Sequence, residues 1–124
     1  MAARSRRLFF TSNFAANLDS IKLFLTKEGE SDFQRLLSRL FEDIGPMLSR
    51  FPHSGRSFLA HRVGSKEAQA LIERLRSMLR KGDDLREFVV DDYVVLYLIR
   101  GTRIYFLAIK HHRQLSFDLS RFWT

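Results

Sequence analysis

The side chains of this sequence that are best suited to chemistry stand at Lys110–Arg113, which reads KHHR and directly follows an apolar run. Histidine gains and loses a proton near neutral pH, and lysine and arginine stabilise developing negative charge. Together with Arg86 and Tyr97, the residues of this segment could in principle fill the roles that metal-free phosphodiester cleavage requires. That reaction needs a base for the attacking hydroxyl, cations for the phosphorane and an acid for the leaving oxygen.

The alternative interpretation of this segment is a solvated strand end that hydrogen-bonds locally. Successive residues of a strand point to opposite faces of the sheet, so at most one of His111 and His112 faces a given site. The sequence leaves both interpretations open. If the protein is a nuclease, its candidate catalytic residues are His111, His112, Arg113, Arg86 and Tyr97.

Metal-dependent and serine-hydrolase chemistry find little support. The histidines occur without any cysteine, and their spacing does not match a helical pair of metal ligands; they are His53, His61, His111 and His112. The sequence has neither a nucleophile elbow nor a glycine-rich loop. We therefore expect no metal and no cofactor. A chain without cysteine also forms no disulfides, which fits a reducing cytoplasm.

Length and composition indicate a single domain over residues 1–124. The chain has 124 residues, 45% hydrophobic content and 12 phenylalanines, which is enough to bury one core. The apolar part of the basic N-terminal segment, Leu8–Phe10, is too short for the core of a signal peptide. No apolar run approaches the roughly 20 residues that a membrane-spanning helix needs. We expect a cytoplasmic protein with no membrane partner.

The charge distribution predicts an anionic partner. Lysine and arginine number 21 against 14 acidic residues, which gives a formal net charge of +7. The stretches Ile44–Lys66 and Tyr93–Phe117 contain no acidic residue, so each should generate a local positive field. Such fields suit nucleic acid, an acidic protein or a membrane surface, and charge alone does not choose among them.

Aromatic side chains are interleaved with this charge. Tyr105 and Phe106 lie between Arg103 and Lys110, an arrangement that could stack on nucleic-acid bases. Packing in the core is the expected role of at least one of the two rings.

Two apolar runs, Val94–Ile99 and Ile104–Ile109, predict the centre of a β-sheet. β-Branched, aromatic and leucine residues dominate both runs, which favours strands. Gly101 between them can supply the positive φ of a tight hairpin turn. Neither run alternates cleanly, so we expect each strand to be covered on part of both faces. Leu85–Val90 predicts a third antiparallel strand, joined to the first run by a tight turn at Asp91-Asp92.

Two helices are predicted before these strands, after an edge strand at Arg7–Thr11. Ser12 or Asn13 is expected to cap the first helix, which should end near Lys27–Gly29 with Gly29 in the left-handed conformation. The apolar face of this helix consists of Phe14, Leu18, Ile21 and Leu25.

The second helix is predicted to begin at a capping box formed by Ser31 and Gln34. Its apolar stripe, expected to be core, consists of Phe33, Leu36, Leu37, Leu40, Phe41, Ile44, Leu48 and Phe51. Pro46 should kink or interrupt this helix, because proline lacks an N–H and clashes with the preceding turn. A third amphipathic helix is predicted at Ser65–Lys81. The predicted fold class is α+β: a helical hairpin packed on a small, mainly antiparallel sheet, with one additional helix inserted before the last three strands.

The order of these elements, together with three motifs, resembles the RelE/ParE superfamily of toxins from bacterial type II toxin–antitoxin modules. Phe51–Arg56, reading FPHSGR, is similar to the F-P-x-x-G-R turn of that family. Leu85–Phe88 followed by Asp92–Tyr97 is similar to two of its successive strands, the second of which carries D-Y-R-I-x-Y. Arg103–Ile109 followed by His111–Arg113 resembles its last strand and H-x-R end.

The resemblance covers nearly the whole chain except Ser57–Asp83, and it implies a toxin neutralised by a cognate acidic antitoxin. Two departures stand out. Val94 replaces the arginine with which ribonuclease relatives hold the scissile phosphate, and this counts against RNA cleavage. The Ser65–Lys81 helix replaces a short connection of many relatives.

The preferred expectation is therefore the ParE-like branch, whose members arrest growth by binding a cytoplasmic target, usually DNA gyrase. One alternative is a ribosome-dependent mRNA endonuclease, for which the ribosome and mRNA would be the partners. The other is a non-toxic basic binding domain of the same fold.

Candidate binding residues follow from the charge and from large apolar groups. The candidates for target binding are Arg100, Arg103, Lys110, His112 and Arg113. The candidates for antitoxin binding are Arg50, Arg56, Arg62, Phe117, Phe122 and Trp123. We expect the three aromatic residues of the tail to fold back onto the core, because an exposed cluster of this kind promotes aggregation.

Overall fold

A computed structural model describes residues 5–26, 30–58, 73 and 76–111. In these residues a five-stranded sheet carries helices on one face. The helical elements are α1 (Ser12–Thr26), α2 (Glu30–Ser38), a π-helical segment (Arg39–Ile44), α3 (Gly45–Arg50) and a short 3-10 turn (Pro52–Ser54). The strands are β1 (Arg7–Phe10), β2 (Arg56–Ser57), β3 (Asp84–Val90), β4 (Tyr93–Arg100) and β5 (Arg103–His111). This architecture confirms the predicted α+β fold class.

The strands follow the order β1-β5-β4-β3-β2 across the sheet. β1 runs parallel to β5, and the other neighbouring pairs are antiparallel. β4 therefore lies at the centre and β1 at an edge, as predicted. The sequence does not predict β2, because a strand of two residues has no readable alternation.

Both hairpin turns contain a residue with positive φ. Gly101, after the end of β4, has a φ of 58°, a conformation that glycine adopts without strain. Asp91, in the β3–β4 turn, has a φ of 52°, which aspartate tolerates better than most residues. Both tight connections are as predicted.

The main core lies between the helices and one face of the sheet, here called the helix face. Tyr97 is 0% exposed and Ile99 is 5% exposed, which confirms the predicted burial of the central strand. The core residues on the helices are Phe14, Leu36, Leu40, Ile44 and Leu48. Their partners on the strands are Val90, Val95, Tyr97, Ile99, Ile104, Phe106 and Ile109.

Two positions of the predicted apolar stripe are exposed, and a third, Leu37, is only partly buried and is not in the core. Phe41 is 45% exposed and Phe51 is 62% exposed, so this part of the prediction is wrong. Phe41 lies in the π-helical segment, whose wider turn rotates it away from the α-helical stripe. Phe51 follows the last residue of α3, where the chain has left the helical conformation.

The opposite face of the sheet is also covered. Its buried residues are Phe58, Leu85, Leu96, Leu98, Leu107 and Ala108, with Leu79 and Tyr105 packed at their margin. Burial on both faces explains why the two apolar runs do not alternate, and it confirms that prediction.

The predicted helix starts differ from the observed ones. Thr11 caps α1, because its Oγ1 accepts a hydrogen bond from the Phe14 N–H at 3.2 Å, and neither Ser12 nor Asn13 does. α2 already begins at Glu30, so Ser31 lies inside the helix and not at its cap. Gly29, the predicted end of the first helix, lies outside the described residues.

Pro46 interrupts the α-helical hydrogen bonding, as predicted, through the π-helical segment before it. The Gly45 N–H donates to the Leu40 carbonyl oxygen, five residues back. Pro46 then stands in the first turn of α3, where backbone N–H groups need no partner within the same helix.

The predicted third helix is described only in part. Residues 73 and 76–78 are helical, and the helix ends before Leu79, earlier than the predicted Lys81. The other residues of Ser65–Lys81, and the tail with Phe117, Phe122 and Trp123, lie outside the described residues. Fold-back of the tail stays a prediction. Among the described residues, no helix is long and apolar enough to cross a membrane.

Candidate functional site

A bulge in β5 creates the attachment point for α1. Leu96 pairs with Ala108 and Tyr97 pairs with Phe106, so Leu107 between them has no partner on β4. Side chains of α1 bind the backbone there. Asn13 Nδ2 donates to the Leu107 carbonyl oxygen at 2.9 Å, and the Ile109 N–H donates to Asn17 Oδ1 at 3.0 Å. α1 is therefore fixed against the C-terminal half of β5.

A groove opens next to this attachment, between α1 and the paired ends of β4 and β5. It has a volume of about 370 Å³ and is lined by Asn17, Ser20, Ile21, Phe24, Tyr93, Ile109, Lys110 and His111. We call it the α1 groove. Two of the residues singled out in the sequence, Lys110 and His111, belong to it.

The walls of the α1 groove are mostly apolar, and Lys110 adds a cation to its lining. The Tyr93 ring meets the His111 ring edge-on, with 5.5 Å between centroids. Burial raises the pKa of Tyr93, and Asp92 and Asp32 add to this effect, so the phenol stays neutral at physiological pH. Phe24, which lines the groove, is 68% exposed, and its neighbour in the sequence, Leu23, is 73% exposed. Exposed apolar side chains beside a cation suit an amphipathic segment of acidic character.

Tyr97 holds the Phe51–Arg56 turn against the helix face. Its hydroxyl donates to the Pro52 carbonyl oxygen at 2.6 Å and accepts from the Gly55 N–H at 3.0 Å. Burial raises the pKa of Tyr97, although the Gly55 hydrogen bond and the Arg86 charge oppose the rise. This phenol is therefore neutral, fully buried and hydrogen-bonded as both donor and acceptor.

Arg86 supports the same turn. Its Nη1 donates to the Gly55 carbonyl oxygen at 2.6 Å, and its Nε donates to Asp84 Oδ2 at 2.8 Å. The same carboxylate oxygen lies 3.4 Å from His53 Nε2. The cation is thus held by the turn and by a neighbouring carboxylate.

The candidate catalytic residues do not meet at one place. His111 pairs with Tyr93 at the start of β4, whereas Arg86 pairs with Tyr97 in its middle. Four residues of strand separate these positions, about 13 Å at 3.3 Å per residue. His112 and Arg113 lie outside the described residues.

The candidate target-binding residues lie at both ends of the β4–β5 hairpin. Arg103 stands at the turn and Lys110 near the far end of β5. Seven residues of strand separate them, about 23 Å. Arg103 is exposed, and its guanidinium carbon lies 5.5 Å from the centroid of the Phe9 ring.

Arg100 is paired. Its Nε and Nη2 donate to the two carboxylate oxygens of Asp83 at 2.9 and 2.7 Å. The hydrogen bond from Arg100 lowers the pKa of Asp83 despite burial of that carboxyl. The same bond raises the pKa of Arg100. This pair joins the end of β4 to the segment before β3, so Arg100 has a structural contact that Arg103 lacks.

The candidate antitoxin-binding arginines also differ in their contacts: Arg56 is paired with a carboxylate, whereas Arg50 is exposed. Arg56 Nε lies 2.6 Å from Glu87 Oε1, whose side chain is only 1% exposed. Arg56 therefore compensates a buried carboxylate. Arg50 is exposed at the rim of a shallow cleft of about 380 Å³, whose other lining residues are Arg6, Phe51, Pro52, His53 and Ser54. Arg62, Phe117, Phe122 and Trp123 lie outside the described residues.

Sequence reasoning missed the α1 groove as a unit. Its residues come from three elements, and only pairing in the sheet places Tyr93 beside His111. One signal is present in the sequence: Leu23 and Phe24 fall outside the apolar face Phe14-Leu18-Ile21-Leu25. Large apolar residues off the buried face of a helix indicate a binding surface.

The described residues contain no group of three or more histidine, aspartate or glutamate side chains that could hold a metal ion. The sites in this part of the chain are made of arginines, aromatic rings and apolar side chains. Such sites are suited to binding macromolecules.

Comparison with known proteins adds one finding. A family model described as the ParE toxin of the type II toxin–antitoxin system, parDE, matches residues 8–116. The match includes β1 from Leu8 onward, the helices, the Phe51–Arg56 turn and the three long strands. No curated protein matches the chain.

Proposed function

The chain belongs to the ParE toxin family of type II toxin–antitoxin systems, and we propose that it arrests growth by binding DNA gyrase. In this proposal a cognate acidic antitoxin neutralises it. Family membership supports the toxin class. The choice of gyrase rests on the contacts of the residues that a nuclease would need.

The observation that carries this choice is that the Tyr97 hydroxyl is already hydrogen-bonded as both donor and acceptor. A general acid or base must reach the substrate, and this phenol is 0% exposed, with Pro52 and Gly55 on its donor and acceptor sides. Arg86 is tied to the same turn. Val94, where ribonuclease relatives carry arginine, offers no charge for a phosphate. These contacts support binding over RNA cleavage.

In this proposal the antitoxin binds in the α1 groove. The apolar walls of the groove fit the anchoring side chains of an amphipathic segment, and Lys110 in its lining fits an acidic residue of that segment. The exposed Leu23 and Phe24 extend the apolar surface along α1. Arg50 adds a positive charge elsewhere on the surface, whereas Arg56 is occupied by Glu87.

The direct test is a supercoiling assay with purified gyrase and relaxed plasmid. We expect the protein to inhibit supercoiling and to increase the amount of cleaved DNA held by gyrase. Prior incubation with the cognate antitoxin should abolish both effects. The same preparation is added to a translating extract, in which mRNA should stay intact.

The outcomes separate the three possibilities. Ribosome-dependent mRNA cuts without any effect on gyrase would show that the protein is an endonuclease. Intact mRNA together with unaffected gyrase, in a preparation whose circular dichroism shows the folded protein, would show a non-toxic binding domain or a different target.

A further inference from the structure

A second surface, on the face of the sheet opposite the main core, combines arginines with aromatic rings at the edge formed by β1 and β5. β1 and β5 run parallel at this edge, with Arg7 beside Arg103 and Phe9 beside Tyr105. Alternation along each strand places these four side chains on one face. The patch thus contains two arginines followed by two aromatic rings.

The planar groups of this patch are already stacked. The Phe9 and Tyr105 rings are 5.3 Å apart with an interplanar angle of 23°. The Arg103 guanidinium lies over the Phe9 ring at 5.5 Å and donates a long hydrogen bond, 3.4 Å, to the Tyr105 hydroxyl. We call this set, Tyr105, Phe9 and Arg103, the stacked column. Arg103 is exposed, so its guanidinium plane is the open end of the column.

The positive charge at the open end has no carboxylate partner among the residues that the structure describes. Arg103 neighbours Arg7 on β1 and Arg100 on β4. Among these three arginines, Arg100 is the one that a described carboxylate, that of Asp83, neutralises. Within residues 5–26, 30–58, 73 and 76–111, no carboxylate pairs with Arg6, Arg7 or Arg103.

Like charges on adjacent strands are unfavourable unless an anion lies between them. Arg6 is close to the same turn, since its Nε donates to the Gly101 carbonyl oxygen at 3.3 Å. Arg6 and Arg7 therefore lie near the Arg103 end of the stacked column, and no carboxylate of the described residues compensates these three arginines. This is the arrangement expected around a bound phosphate chain.

We propose that this surface binds single-stranded nucleic acid. An unpaired base stacks on the exposed guanidinium of Arg103, which the Phe9 and Tyr105 rings support from behind, while Arg6 and Arg7 bind the phosphates. A duplex fits poorly, because its bases are stacked on each other and do not reach the column. An acidic peptide would satisfy the charges but would leave the stacked planes unused.

Fluorescence anisotropy tests the proposal with labelled 15-mers of deoxythymidine and of uridine, at two salt concentrations. Binding by the wild type is expected, with an affinity that falls as salt rises. Phe9→Leu, which keeps apolar volume but removes the ring, should weaken binding about tenfold. Arg103→Gln should weaken it by a similar factor and also flatten the salt dependence.

The matched control is Arg35→Gln, which makes the same change of charge at an exposed arginine on α2. It should leave binding within about twofold of the wild type, because a change of charge far from the patch has little local effect. Circular dichroism and thermal unfolding show that each variant is folded. The ratio of the wild-type affinities for the deoxythymidine and uridine 15-mers shows whether DNA or RNA is preferred.

Three results would overturn the proposal. The first is no binding of either oligonucleotide by the folded wild type at low salt. The second is a pattern of variants that does not follow the patch: Arg35→Gln and Arg103→Gln lose equal affinity for the oligonucleotides, or Phe9→Leu loses none. The third is equal competition by a DNA duplex or by polyglutamate, which would indicate charge alone and favour an acidic protein partner. The assay contains no gyrase, so its outcome does not affect the test of the proposed function.

Discussion

Gly55 lies so close to Tyr97 that a Cβ atom added to the glycine would stand 2.5 Å from the tyrosine hydroxyl oxygen. The same atom would stand 2.5 Å from the Glu87 backbone oxygen. Gly55 has a φ of −77°, so close approach and not left-handed backbone requires glycine here. This contact explains the glycine of the F-P-x-x-G-R motif physically.

Gly55→Ala is therefore expected to destabilise the fold by about 1–3 kcal/mol, the usual cost of overpacking. One of the two clashing atoms belongs to a strand backbone and cannot move aside cheaply. Urea unfolding measures the effect. The control is His53→Ala in the same turn, at an exposed side chain, which should cost within about 0.5 kcal/mol. If the Gly55→Ala variant were as stable as the wild type, the turn would not be held against Tyr97 as described.

Asp83 should give part of the stability of the protein a dependence on pH. The Arg100 hydrogen bond lowers the pKa of Asp83 below its ordinary value of 3.8. A carboxyl whose pKa is lowered by folding stabilises the protein above its unfolded pKa, and this contribution is lost as pH falls through the folded pKa. Asp83→Asn should cost about 1.5–3 kcal/mol at neutral pH, with a smaller cost below about pH 4.

Unfolding by urea at neutral and acidic pH measures this difference. Asp19→Asn serves as the control, because Asp19 is exposed on α1, and it should change stability little at either pH. A cost of Asp83→Asn that is the same at both pH values would show that shape, and not charge, accounts for the Asp83–Arg100 contact.

Phe24 should contribute to antitoxin binding without contributing to folding. It is 68% exposed, so Phe24→Ser should leave the unfolding free energy nearly unchanged. If Phe24 anchors the antitoxin, the loss of its ring should weaken the complex about tenfold or more, the scale of a buried aromatic anchor. Isothermal titration with the cognate antitoxin measures this affinity.

Phe51→Ser is the matched control for Phe24→Ser. Phe51 is similarly exposed, at 62%, but lies in the cleft near Arg50 and not in the α1 groove. Equal loss in both variants would point to general hydrophobicity, and a loss in Phe51→Ser alone would move the antitoxin to the cleft.

His111, His112 and Arg113 should not act in phosphodiester cleavage. Each is replaced by alanine in turn, and mRNA is followed by primer extension in a translating extract. We expect no cuts with the wild type or with any variant. Cuts by the wild type that fall about 100-fold with one alanine, the scale of a general acid or base, would contradict the gyrase proposal.

The sequence by itself determines the sheet and much of the core. The two apolar runs of β4 and β5 mark the centre, and Gly101 marks their turn, because strand propensity and positive φ are local properties of the chain. Burial on both faces was likewise readable from the lack of alternation. The family resemblance also depends on local motifs, and the match over residues 8–116 supports it.

Helix boundaries were less predictable, because neighbouring residues compete for the same cap. Thr11, Ser12 and Asn13 are all good caps. Thr11 is selected because the bulge in β5 takes the Asn13 side chain for the Leu107 carbonyl. Similarly, Pro46 predicts an interruption of the second helix. Only the tertiary structure shows that a π-helical segment accommodates the proline and turns Phe41 outward.

Only the tertiary structure decides which polar residues are available for function. Tyr97 and Arg86 have the side chains of a nuclease, yet both are bonded to the Phe51–Arg56 turn. Arg100 and Arg103 are close in sequence, but one pairs with Asp83 and the other stacks on Phe9. The sequence gives the type of each side chain, whereas its partner comes from strands and turns that are distant in the chain. That partner determines whether a charged group is free to bind a ligand.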